Sequence, residues 1–99
     1  MKIDIQFEKM SSNSYVEKLA TKKLKDLGDK YDWILNANVF FKKDNDTKGK
    51  GKICKIRLRV PGYDLFASSD QESFEIALAE TLKDLERQIR KRKTQMSTH

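Results

Sequence analysis

The residues best placed to do chemistry lie near the end of the chain. From Arg87 to Lys93 the sequence reads RQIRKRK, five cations and no carboxylate in seven residues. Guanidinium groups grip phosphate through two parallel hydrogen bonds and stack on bases, and lysines add compact positive charge. The run therefore suits binding to a polyanion. A structural alternative is that these cations only complement a helix dipole, at roughly 0.3–1 kcal/mol each. That effect fades within a turn, so one or two cations exhaust it.

Catalytic chemistry has no comparable set of residues. The one histidine is the terminal His99, which cannot anchor a triad or a metal site. The single cysteine, Cys54, falls at an inward strand position and reads as a small core residue rather than a nucleophile. One cysteine allows no internal disulfide, which fits a reducing compartment. KGKGK at 48–52 does not follow a strand and open a helix, so it reads as a hairpin loop and not as a phosphate cradle. No enzyme, cofactor, metal or small-molecule substrate is expected.

Ninety-nine residues suit one domain. Hydrophobic residues make up 37% and charged residues 36%, and the net charge is +6. A basic balance of this size favours nucleic acid or another polyanion as partner, with plain solubility as the bland reading. No signal peptide precedes the first strand pattern, and no apolar run approaches the roughly 18 residues of a membrane span. These features predict a soluble cytoplasmic protein with no membrane partner.

The elements that must position the cations follow from periodicity. Ile3, Ile5 and Phe7 alternate with polar residues, which predicts a strand over 2–7. Val16, Leu19, Ala20, Leu24 and Leu27 recur at helical spacing, and Gly28 reads as a stop, giving a helix over about 13–27. Its cap is Ser12, Asn13 or Ser14. A second strand over 35–43 puts Ala37, Val39 and Phe41 on one face and Asn38, Phe40 and Lys42 on the other. The polar segment at 44–52 is a loop. A third strand over 52–60 turns Cys54, Ile56, Leu58 and Val60 inward. Pro61-Gly62 makes a tight turn into a fourth strand at about 63–69. Ser69 with Glu72 has capping-box spacing, which predicts a last helix from 70 to about 93. Its stripe is Phe74, Ala77, Leu78, Leu82, Leu85 and Ile89.

The order β-α-β-β-β-α implies an α+β, two-layer sandwich. The crossover makes the first two strands parallel, and the short loops make the rest antiparallel. The sheet is then four-stranded and mixed, with two roughly parallel helices on one face. Their C-terminal ends come together at one end of the domain. The first helix brings Lys18, Lys22, Lys23 and Lys25 toward that end, and the second brings Arg87, Arg90, Lys91, Arg92 and Lys93. A 24-residue helix spans roughly 36 Å, against about 20 Å for a six-residue strand. The last two turns should therefore overhang the sheet. Phe40 and Phe66 fall on the open face, where cross-strand aromatic packing is the commoner use and base stacking the alternative.

KDLERQIRKRK, with LKDLGDKYDWI before the second strand and LFASSD before the last helix, resembles the ribosome hibernation-promoting factors, which include ribosome-associated inhibitor A. The resemblance covers nearly the whole chain, and the family's fold is the one read above. It implies a ribosome-associated translation inhibitor of stationary phase and stress. Such a protein binds 16S rRNA on the small ribosomal subunit and occupies the mRNA and tRNA sites. By that pattern Lys23, Arg87, Lys91 and Lys93 are candidate rRNA contacts, with Lys22, Lys25, Arg90 and Arg92 as further cations. Asp26 and Asp84 stand where family members often have lysine, which shifts the expected basic surface by a turn. The chain resembles the short form, one ribosome-binding domain over 1–99 with a basic tail from about 90. It is expected to be a monomer off the ribosome. A general double-stranded RNA-binding module is the alternative, but it usually has lysines where the last helix here begins with Asp70, Glu72 and Glu75. A protein-docking role for the open face is a further reading.

Overall fold

The computed structural model describes residues 1–44 and 50–97, with side chains as far as Arg92. The elements are β1 (Lys2–Glu8), α1 (Ser14–Lys30), β2 (Asn36–Lys43), β3 (Lys52–Val60), β4 (Tyr63–Gln71) and α2 (Phe74–Ser97). The sheet order is β1-β2-β3-β4. β1 and β2 are parallel, and β2–β3 and β3–β4 are antiparallel. The two-layer α+β sandwich expected from the sequence is the one observed.

The alternation of apolar residues sets the sheet's two faces. Ala37, Val39, Phe41, Cys54, Ile56 and Leu58 are fully buried. They meet Ala20 and Leu24 from α1 and Ala77, Leu78, Leu85 and Ile89 from α2. Phe41 stacks on Phe7 at 5.5 Å and meets the edge of Phe74 at 5.6 Å. Thr81 also points into this core, a polar residue that an apolar stripe does not reveal. Its hydroxyl donates to the Ala77 carbonyl at 2.7 Å, which makes burial affordable.

Several element boundaries differ from expectation, and the larger shifts have local reasons. α1 runs through Gly28 to Lys30. Gly28 is not a stop but a close-approach site, because a Cβ there would lie 2.9 Å from the Met1 Cε. At the other end Asn13 is the cap, its side chain accepting from the Val16 amide at 3.2 Å. β4 does not end at Ser69. Ser69, Asp70 and Gln71 still pair with Cys54, Ile53 and Lys52, so the long partner strand outbids the capping-box pattern. The cap of α2 is Ser73, whose side chain accepts from the Ile76 amide at 3.1 Å. α2 therefore starts four residues later than the capping box predicts and runs on to Ser97.

The register also settles the two open-face phenylalanines. Phe40 lies opposite Lys55, and Phe66 lies opposite Arg57. Neither has an aromatic cross-strand partner, so the expected aromatic packing across strands is not what holds them. The Pro61-Gly62 turn is as expected, with Gly62 at φ 89°, the left-handed position that a turn with proline before it requires. The loop expected over 44–52 lies largely outside the described residues, as does His99.

Candidate nucleic-acid interface

The two helices are tied together where α1 ends. Lys30 Nζ forms an ion pair and hydrogen bond with Glu86 Oε2 of α2. The Tyr31 hydroxyl donates to the same oxygen at 3.1 Å. The hydrogen bond to Glu86 raises the Lys30 pKa, and the same bond holds the Glu86 carboxyl below its ordinary range. Arg90 acts on both groups through its charge, opposing protonated Lys30 and favouring ionised Glu86. This contact confirms that the C-terminal end of α1 meets α2. It also shows that α2 continues eleven residues beyond that point, from Glu86 to Ser97, or about 16 Å.

On that continuing helix the cations separate by position. Arg87, Arg90 and Lys91 are all exposed. At 100° per residue they share an arc opposite the buried Leu85 and Ile89. Arg87 has an ion pair with Asp84 at 3.7 Å, between side chains 66% and 44% exposed. So Asp84 does interrupt the basic surface on that side, one turn before Arg87. Arg92 behaves differently from the expected free overhang. It takes the next position of the apolar stripe, and its guanidinium lies 4.1 Å from the Tyr63 ring centroid. That cation–π contact clamps α2 to the start of β4. The projecting part of α2 thus begins after Arg92, later than expected. Lys93 is on the helix, but its side chain lies outside the described residues.

The α1 lysines also divide. Lys22 and Lys25 line an outward face shared with Lys18, Ser14 and Thr21, and with the acids Glu17, Asp26 and Asp29. This face is mixed in charge. Lys23 lies seven residues, two turns, before Lys30, so both occupy the flank turned toward α2. The structure therefore places Arg87, Arg90 and Lys91 beyond the Lys30–Glu86 contact, while Lys23 lies two turns, about 10 Å, short of it on α1. It sets Lys22 and Lys25 apart on the outer face, and Arg92 against the sheet. Lys30, paired with Glu86 at the joint between the helices, was not in view from the sequence, because a helix stopped at Gly28 ends before it.

Nothing else in the described chain competes as a reactive centre. Cys54 is fully buried, and burial pushes its thiol up to about 12, with Thr81 hydrogen bonding pulling slightly the other way. Among the described residues no group of three His, Cys, Asp or Glu side chains is placed to hold a metal ion. No described helix is long and apolar enough to cross a membrane.

A family model described as sigma 54 modulation protein / S30EA ribosomal protein matches residues 3–97. The chain belongs to this family. The S30EA fold is also what the solved structures show. A ribosomal subunit interface protein from Coxiella burnetii superposes with a TM-score of 0.83 at 23% identity, covering 95% of this chain and 99% of that one. The N-terminal domain of Thermus thermophilus Protein Y superposes at 0.78 and 20% identity, covering 92% and 98%. No curated protein matches the sequence. At these identities the structural likeness extends to the fold, whereas the S30EA assignment rests on the sequence match across nearly the whole chain.

Proposed function

We propose that this S30EA protein is a translation inhibitor that binds 16S rRNA on the small ribosomal subunit and sterically blocks the mRNA and tRNA sites. The observation that carries this reading is the exposed arc of Arg87, Arg90 and Lys91 on a helix that outruns its neighbour. Lys23 is a further exposed cation on α1. Family membership supports a ribosomal partner, and the Coxiella neighbour bears the name of a ribosomal subunit interface protein.

The mechanism is binding without turnover. The Lys30–Glu86–Tyr31 contact and the Arg92–Tyr63 contact fix both helices on the sheet before any RNA arrives. Cations held in place in advance lose less freedom on binding, which leaves more of each phosphate contact as affinity. A rigid wedge of 48 × 25 × 19 Å excludes other ligands wherever it sits. In this reading the domain acts as a monomer in the cytoplasm when growth slows, and the ribosome is its working partner.

The alternative of a general double-stranded RNA-binding module fits less well. Its lysines would be expected at the start of the last helix, where α2 carries Glu75 in its first turn. The test is sedimentation of lysate through a sucrose gradient at low salt, with an antibody to the protein. Co-migration with small subunits or whole ribosomes is the expected result. Protein that stays at the top of the gradient overturns the ribosomal reading.

A further inference from the structure

The helices cover one face of the sheet, and among the described residues no layer lies over the other face. Its side chains form registered rows across the four strands. One row is Asp4, Asn38, Arg57 and Phe66; the next is Gln6, Phe40, Lys55 and Ser68. Phe66 is 54% exposed and Phe40 is half-buried. Each ring lies directly across from a cation, Phe40 from Lys55 and Phe66 from Arg57. The carboxylates of this face are committed at its margins. Asp64 pairs with Arg59 at 3.7 Å, Asp70 accepts from the Gly51 amide at 2.7 Å, and Glu8 lies beside Lys42. Asp4 is on the edge strand, two strands from Arg57, or about 10 Å. The centre of the face therefore holds two aromatic rings and two cations with no carboxylate on an adjacent strand in either row.

We propose that this open face is a second RNA-binding surface, one that holds single-stranded RNA with bases stacked on Phe40 and Phe66 and phosphates on Lys55 and Arg57. Each feature matches a property of that ligand. Every base offers a ring face to an aromatic side chain, and the backbone brings a negative charge at each step. The two rings are two strands apart and offset by two residues, so they lie about 12 Å from each other. That separation suits separate bases of one strand, with the cations between them. A duplex hides its base faces and cannot use the rings. A protein partner would want a continuous apolar centre, whereas each ring here has a cation across from it. Asn38, Gln6 and Ser68 supply donors and acceptors that tolerate any base edge. The surface therefore takes single strands with little sequence preference.

The inference stands apart from the helix-end reading, and its test contains no ribosome. Fluorescence anisotropy of a short fluorescein-labelled oligouridine with the full chain at low salt is expected to show saturable binding. Phe66→Ala and Arg57→Gln should each weaken it about tenfold. For two phosphate contacts on a single strand, log K against log salt should fall with a slope of about −1.4. At about 0.1 M salt, where charges beyond about 10 Å are screened, Phe66→Ala should weaken binding by the same factor in an Arg87→Gln, Lys91→Gln background as in the unaltered chain. Crosslinking of the unaltered protein to a 4-thiouridine oligomer gives a readout that needs no variant. Crosslinks in the peptides that contain Phe40 or Phe66 are expected. No binding of the oligomer, crosslinks confined to α1 and α2, or loss of binding only in the Arg87 and Lys91 variant overturns the proposal.

Discussion

Replacing Arg87 and Lys91 together by glutamine separates binding from folding, and the structure sets the size of both effects. Both side chains are exposed and stand opposite the buried stripe. Arg87 pairs with Asp84 at 3.7 Å, between exposed side chains. Such pairs contribute about 0–1 kcal/mol, and solvent screening puts this one at the lower end. For a domain of this size 1 kcal/mol moves the melting temperature by about 4–8 °C, so the double variant should shift by only a few degrees. Leu85→Ala is the contrast. Leu85 is fully buried, its truncation costs about 2–5 kcal/mol, and the melting temperature should fall by at least about 10 °C. Binding should behave in the opposite way. If Lys23, Arg87, Arg90, Lys91 and Lys93 each meet a phosphate, log K for purified small subunits should fall against log salt with a slope of about −3.5 to −4.5. The double variant should flatten it to about −2.1 to −2.7. Filter binding across a salt series and thermal melts by circular dichroism read both quantities. An unchanged slope, or a melting temperature lowered as far as in Leu85→Ala, refutes the assignment of these cations to binding.

Two further outcomes concern the helix layer. The Glu86 carboxyl lies below its ordinary value of 4.5, so its ionised form stabilises the fold above that value, and the benefit is lost as pH falls through the folded value. Lys30 is raised above 10.5, so its contribution is complete below that pH and disappears as pH rises through the folded value. Wild type should therefore melt above Glu86→Gln at neutral pH, and the gap should close in acid below pH 4.5 and again in strong alkali; a gap independent of pH contradicts the pairing. Gly28→Ala should raise the melting temperature slightly. Alanine gains roughly 0.5–1 kcal/mol inside a helix, and the new methyl meets only the flexible tip of Met1. A clear drop in melting temperature would show that Met1 cannot move aside.

Much of the fold was legible because its elements are strongly periodic. β3 alternates so regularly that its ends matched the expected 52–60, and the turn residues Pro61 and Gly62 fixed the hairpin after it. What failed was local punctuation. Gly28 and the Ser69–Glu72 pair carry stop and start signals, yet tertiary contacts override both: Met1 packs on the glycine, and β3 keeps pairing through Gln71. Those two slips hid parts of the site. Ending α1 early removed Lys30 from view, and only the partner helix reveals its contact with Glu86. Arg92 could be counted as a cation from sequence, but its place over Tyr63 depends on where β4 starts relative to α2. The open face was legible residue by residue, while the pairing of each ring with a cation needed the strand register.

The central claim is inhibition by occupancy, and a titration in a purified translation system tests it most directly. Increasing amounts of the protein should reduce synthesis until inhibition saturates at about one protein per ribosome, as expected for a blocker that does not turn over. Excess tRNA and initiation components should relieve it, and the ribosomal RNA should remain intact. Saturable binding to the subunit with no effect on synthesis, or full inhibition at a small fraction of one protein per ribosome, would contradict the account.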